Sequence, residues 1–381
     1  MEESSAGQQP AKPLWRRIAD FPLVAMLIAL ALFVLANGIA FQLAKLLPEM
    51  DRVARLAVWA VLDIGVVLLI YKLAIRHLGE HPRDDLPMAG APKGLGLGLA
   101  FGFVIFSIVV GVAAIVDVYN IIGEGGTSQL VPVLLAVAVL PGFMEELLFR
   151  GILFRWLEEF AGSWFALALT SALFGFAHLF NPNATALSSF AIALEAGVLL
   201  GGAYMLTRNL WMAIGLHAAW NFTQGWIFDV PVSGTDQDGM VEAQLSGPEL
   251  LSGGAFGLEA SLIAMVLATA AGVALVVLAV RRGELVRPWW VRRRLAREQR
   301  LEEAVRVDVD RDSDLAAPIY LAEPVADDVL DVETARRVDQ DALAVSAAEH
   351  CQGRRRGAEH RHAFDLRGRL ADAAGDGFRL R

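Results

Sequence analysis

Residues 130–154 read LVPVLLAVAVLPGFMEELLFRGILF. As a helix this stretch is long and apolar enough to cross a hydrocarbon core of about 30 Å, for which about 20 residues suffice. Yet Glu145, Glu146 and Arg150 stand inside it. Ionisable groups at such depth are costly and mark pairing, function or both. The stretch therefore bears on the class of the fold and on where its chemistry lies.

The surrounding sequence settles the class. The chain has 381 residues, of which 55% are hydrophobic, and its mean hydropathy is +0.48. Soluble domains stay near roughly 45–50% apolar content. Further apolar runs lie near 21–44, 54–75, 94–116, 164–180, 187–207, 210–228 and 257–280, which with 130–154 gives eight candidate spans, the fifth and seventh being the shortest. The expected fold class is all-α, a polytopic integral membrane protein of about eight transmembrane helices. The first run is about twice as long as a signal-peptide core of roughly 7–15 residues, so it reads as a retained helix. A single cysteine, Cys351, excludes an intramolecular disulfide. The formal net charge of −9 carries no partner signal, because the charges are segregated by region.

That segregation orients the chain, since lysine and arginine accumulate in cytoplasmic loops. Lys12, Arg16 and Arg17 precede the first span, Lys72, Arg76, Arg83 and Lys93 follow the second, and eight arginines occupy 281–300. The connections 117–128 and 229–256 hold none. An even number of spans with both termini cytoplasmic, in the plasma (inner) membrane, fits this pattern; Lys45, Arg52 and Arg55 depart from it slightly. Four regions follow: an N-terminal cytoplasmic segment 1–20, a helical membrane domain 21–280, a basic juxtamembrane segment 281–300, and a charged tail 301–381 expected to be disordered. Trp289 and Trp290 beside arginines suit a membrane interface. The long, acidic connection 229–256 is expected to cover part of the external face.

Within the spans the ionisable or strongly polar set comprises Asp63, Glu145, Glu146, Arg150, His178, Glu195, His217 and Asn221. Helical spacing sorts it. Residues four apart share a face, so Glu146 lies against Arg150 and the two compensate, whereas Glu145 is rotated about 100° away with no sequence-local partner. A turn near 160–163 would fold the fourth and fifth spans into a hairpin, bringing Glu145 and His178 to similar depth inside the bundle. A carboxylate and an imidazole so placed can polarise a water. His217 and Asn221, also four apart, offer donors of the kind an oxyanion requires. Polar glue between helices, worth about 1 kcal/mol per group, is the competing reading. It is the default for Asp63, which could pair with Arg150, and for Glu195, which could line a cavity.

The order EELLFR (145–150), FGFAH (174–178) and HAAWN (217–221) resembles the three motifs, EExxxR, FxxxH and HxxxN, of the CAAX prenyl protease and bacteriocin-processing family of intramembrane endopeptidases. The resemblance covers about 128–224. It implies that Glu145 and His178 activate the hydrolytic water, that His217 and Asn221 stabilise the oxyanion, and that Glu146, Arg150 and Phe174 support the site. Such proteins are often labelled metalloendopeptidases, and Glu145, His178 and His217 could formally supply three zinc ligands. The histidines lack an HExxH spacing, and the family is understood to be glutamate-dependent, so no cofactor is the preferred expectation. Expected partners are the lipid bilayer and a peptide or protein substrate, prenylated or hydrophobic, and not nucleic acid. Two rivals remain: a proton-coupled transporter, for which no inverted repeat is evident, and a non-catalytic scaffold or bacteriocin immunity protein.

Overall fold

The computed structural model describes residues 12–315. Residues Met1–Ala304 form one compact unit; Val305–Arg381 form a second, of which only residues up to Leu315 are described. The first unit is a helical bundle with one small sheet. Its elements are α1 (Leu14–Ala19), α2 (Pro22–Ala44), α3 (Arg52–Leu73), α4 (Ala91–Ile115), β1 (Tyr119–Glu124), α5 (Leu130–Ala161), α6 (Ser163–His178), α7 (Ala186–Thr207), α8 (Trp211–Phe222), β2 (Val241–Leu245) and α9 (Leu262–Arg281). A last helix, α10, spans Trp289–Leu315.

Among the described residues, six helices are long and apolar enough to cross a membrane: α2, the stretch Arg52–His77 that contains α3, α4, α5, α7 and α9. The fifth and seventh candidate spans fold as the shorter helices α6 and α8, of 16 and 12 residues. Outward faces are apolar, with Leu27, Val34 and Val61 more than half exposed, as lipid contact requires.

Small residues set the helix contacts, as expected where packing rather than water drives association. Ala25, Ala29, Ala36 and Ala40 form a fully buried seam on α2. Gly98 and Gly102 bring α4 against α8: a Cβ on Gly98 would lie 2.2 Å from the Met212 carbonyl, and one on Gly102 2.4 Å from that of Leu216. Gly142 seats α5 on Ala218 of α8, and Gly175 seats α6 on Ser189 of α7. Every helix that carries a motif is thus held at close range by a glycine.

Two departures from the sequence reading appear. Although the protein is all-α in architecture, β1 and β2 pair antiparallel, with an irregularity between Ile121 and Gly123. Within the connection 229–256, Asp229 accepts from Gly239 N and Ala243 N at 2.8 and 2.9 Å, pinning β2. Second, α10 continues through Leu315, past residue 300 where the composition predicts a disordered tail. Good helix formers and (i, i+4) pairs such as Arg294–Glu298, 3.6 Å apart, account for it. The rest of that expectation, like residues 1–11, lies outside the described residues.

Where the basic loops gather, the bundle is tied by a buried ion network that hydropathy does not announce. Asp85 is fully buried; it meets Arg155 Nη1 at 3.2 Å and Arg83 Nε at 2.8 Å, and accepts from Tyr204 Oη at 3.0 Å. Its own N–H donates to Tyr71 Oη. Alongside, Arg208 pairs with Glu158 at 2.7 Å and Glu284 at 3.1 Å. Chain segments from α3 to the end of α9 converge there.

Candidate active site

The fourth candidate span is not a regular α-helix. α5 widens into π-helical turns at Val133–Val139 and again at Leu147–Phe154, and the motif glutamates end the α-helical segment Leu140–Glu146 between them. Such wide turns often mark functional sites. Proline supplies one cause: Pro141 has no N–H to donate to the carbonyl of Val137, four residues back. Asn221 Nδ2 donates to that carbonyl instead, at 2.8 Å. The proline on one helix thereby anchors the asparagine of another.

Glu146 is fully buried. Its Oε1 accepts from Arg150 Nη1 at 2.9 Å and faces His217 Nδ1, also at 2.9 Å. Arg150 continues to the Ala196 carbonyl at 3.1 Å and lies over the Phe174 ring, 4.7 Å from its centre. Arg150 therefore does not pair with Asp63, whose buried Oδ1 has no hydrogen-bond partner among the described residues. The contact with His217 gives Glu146 a second task that spacing within one helix could not reveal. A carboxylate neutralised by arginine only accepts, so His217 Nδ1 carries a proton directed at Glu146.

Glu145 points elsewhere. Its Oε2 lies 4.0 Å from His217 Nε2 and has no hydrogen-bond partner among the described protein groups. The Glu145 side chain is 34% exposed, and His178 is also only partly buried. The expectation that both sit deep within the bundle is corrected: α6 stops at His178, so this imidazole crowns a helix end rather than a mid-span face. The predicted turn is present at Gly162, which has φ +88°. His178 lies within electrostatic reach of Glu145 and His217. Its Nδ1–H donates to the Phe174 carbonyl at 2.8 Å, which leaves the Nε2 lone pair to accept. Phe174 packs against His178 with the rings tilted, their centres 4.6 Å apart.

His178, His217, Asn221 and Phe174 line a narrow cavity. Glu145 is outside that lining and approaches His217 from α5. Among the described residues, no three histidine, cysteine or carboxylate side chains converge closely enough to hold a metal ion. With each Nδ1 engaged, Glu145 Oε2 and the Nε2 atoms of His178 and His217 remain to face a water, and these three do not converge to ligand distance as a zinc centre would need.

Two cavity residues escaped the sequence reading or were left without a role. Glu195 of α7 lines the cavity, as one of its two readings anticipated, and so does Glu259, from the turn Leu258–Ala260 that precedes α9. Glu259 was passed over although it falls within the run 257–280.

Comparison with known proteins agrees with this arrangement. The family described as "Type II CAAX prenyl endopeptidase Rce1-like" matches residues 127–223, the segment that carries all three motifs. This motif-bearing segment is similar to the CAAX prenyl protease and bacteriocin-processing family. "Putative membrane peptidase YdiL" of Bacillus subtilis is 26% identical over 177 residues, 43% of this chain and 68% of that protein. No solved structure matches. Together with the apolar helices, these similarities support an integral membrane peptidase.

Proposed function

We propose that the protein is a glutamate-dependent intramembrane endopeptidase that needs no metal. The observation that carries this reading is the unpartnered buried oxygen of Glu145, 4.0 Å from His217 Nε2 at the meeting point of the three motif helices. Glu145 takes a proton from water, which His178 Nε2 orients, and the hydroxide forms a C–O bond to the peptide carbonyl. His217 Nε2–H and the second N–H of Asn221 hold the resulting oxyanion. Because His217 Nδ1–H already faces Glu146, donation from Nε2 requires the imidazolium form, which two neighbouring carboxylates support. Glu145 then passes its proton to the departing amine as the C–N bond breaks.

The substrate is a hydrophobic or prenylated segment that enters from the bilayer, and a CAAX-type C-terminus is the first candidate. The membrane domain 21–280 sits in the plasma membrane with both termini cytoplasmic, the basic segment 281–300 lying on the cytoplasmic surface. The test is a cleavage assay in nanodiscs on a farnesylated CAAX peptide and an apolar peptide library, comparing wild type with Glu145→Ala and with added chelator. Cleavage by wild type alone supports the reading. Absence of cleavage of every peptide overturns it, and chelator-sensitive cleavage overturns the metal-free mechanism.

A further inference from the structure

The cavity holds two carboxylates that the mechanism does not use. Glu195 and Glu259 are 1% and 2% exposed, and they reach the cavity from different elements. They are within electrostatic reach of each other. Among the described residues, neither forms an ion pair with a lysine or arginine; Arg150 is committed to Glu146 and the Ala196 carbonyl, and His217, which shares the cavity, faces Glu146. Glu259 accepts from the Ser233 N–H, but Glu195 Oε2 is buried with no hydrogen-bond partner among the described protein groups. Between them the wall is apolar, formed by Ile192, Leu199 and Leu200.

Interhelical glue does not account for this. A glue residue is satisfied by its neighbour, whereas an unpartnered buried carboxyl oxygen is costly, and two carboxyl groups sharing one cavity do not both ionise without a compensating cation. One entering cation relieves both penalties. A lysine or arginine side chain suits the site, because its apolar stem matches Ile192, Leu199 and Leu200 while its head carries the charge.

We propose that Glu195 and Glu259 form an acidic subsite of the cavity, beside His178, His217 and Asn221, that receives a basic side chain of the substrate next to the scissile bond. The inference rests on the peptidase reading of the same site and adds a specificity to it: a preference for apolar peptides that carry one lysine or arginine. A neutral side chain in the subsite would leave the pair without a compensating charge.

The test measures binding and cleavage separately. An apolar peptide is prepared with one lysine at each position in turn, and again with norleucine, which keeps the stem and lacks the charge. Binding is measured to the Glu145→Gln protein in nanodiscs, where cleavage does not interfere. At one position lysine should bind at least about tenfold more tightly than norleucine. Glu195→Gln and Glu259→Gln, added singly, should remove that preference and leave norleucine binding unchanged. In the active protein the same two substitutions should raise KM for the lysine peptide by a larger factor than for the norleucine peptide. Equal binding of the two series, or a preference that survives both substitutions, overturns the subsite; the peptide comparison needs no variant at these positions, so misfolding of one cannot mask the answer. A lysine preference without any cleavage keeps the subsite and overturns the peptidase reading, whereas cleavage without a preference does the reverse.

Discussion

Glu146 Oε1 lies 2.9 Å from His217 Nδ1 and accepts from Arg150 at the same distance. The arginine keeps the carboxylate charged, the carboxylate fixes which imidazole nitrogen carries a proton, and the imidazole presents Nε2 toward Glu145. The pair Glu146–Arg150 is thus more than compensation for burial. It sets the protonation state of a residue on another helix.

Glu146→Gln should therefore lower kcat by about 10²–10⁴-fold with a smaller change in KM, the pattern of a lost orienting carboxylate. The isosteric amide keeps the packing but cannot support an imidazolium at His217. Single-turnover cleavage kinetics check it, and unchanged kcat would return Glu146 to a purely structural role.

Pro141 and Asn221 make a second such link. Pro141→Ala restores an N–H able to compete for the Val137 carbonyl, which Asn221 now occupies at 2.8 Å. The helix gains a backbone bond while the asparagine loses its anchor. Thermal stability should hold or rise while kcat falls, by up to about 10²-fold if the amide shifts by an ångström. A parallel loss of both would mean that the substitution merely damages the fold.

Much of this site was legible from spacing alone. The (i, i+4) pairing of Glu146 with Arg150, the hairpin at Gly162 and the shared face of His217 and Asn221 follow from helix geometry and appear as expected. What stayed hidden depends on contacts between distant segments. The bond from Glu146 to His217 crosses 71 positions, and Glu259 enters the cavity from an irregular turn that no periodicity describes. Hydropathy also cannot tell a regular span from a short or widened helix: α6 stops at His178, and α8 passes into a π-helical turn at Thr223–Ile227. The anchoring network failed to register because Arg155 and Glu158 lie just beyond the apolar stretch that drew attention.

That network yields a stability prediction. Asp85→Ala leaves Arg155, itself 1% exposed, without its carboxylate partner in a buried site. Breaking a buried pair from one side typically destabilises by about 3–5 kcal/mol. A clear fall in the melting temperature of detergent-solubilised protein is expected, with Asp85→Asn milder because the amide still accepts from Tyr204. No change in either variant would show that the cluster contributes nothing.

The contact of α4 with α8 offers a separate handle on catalysis. A side chain at Gly98 would collide with the Met212 carbonyl and Leu216 N, one turn from His217. Because backbone cannot yield as a side-chain tip does, Gly98→Leu should push the helices apart and cost activity by about 10²-fold or more. Gly96→Leu is the control, since a Cβ there meets nothing within 4 Å. Equal activity in the two variants would refute the argument.

Glu259 gives the pH dependence its sign. Burial, opposed by hydrogen bonds from Ser233 and Gln224 and by His217, pushes its carboxyl up from the ordinary 4.5 to about 7. The folded protein thus holds a proton there that the unfolded chain has lost. Stability rises with pH only where the unfolded state binds more protons; here the folded state does. The contribution is fully present below about pH 4.5 and is lost as pH climbs through about 7. Melting temperatures of wild type should accordingly fall between about pH 5 and 7.5, while those of Glu259→Gln, which stays neutral throughout, should fall less over the same window. Parallel pH profiles would place the titration elsewhere. A basic peptide in the cavity should flatten the wild-type slope, because a cation at the carboxylate favours its ionised form and so reduces the proton that folding retains.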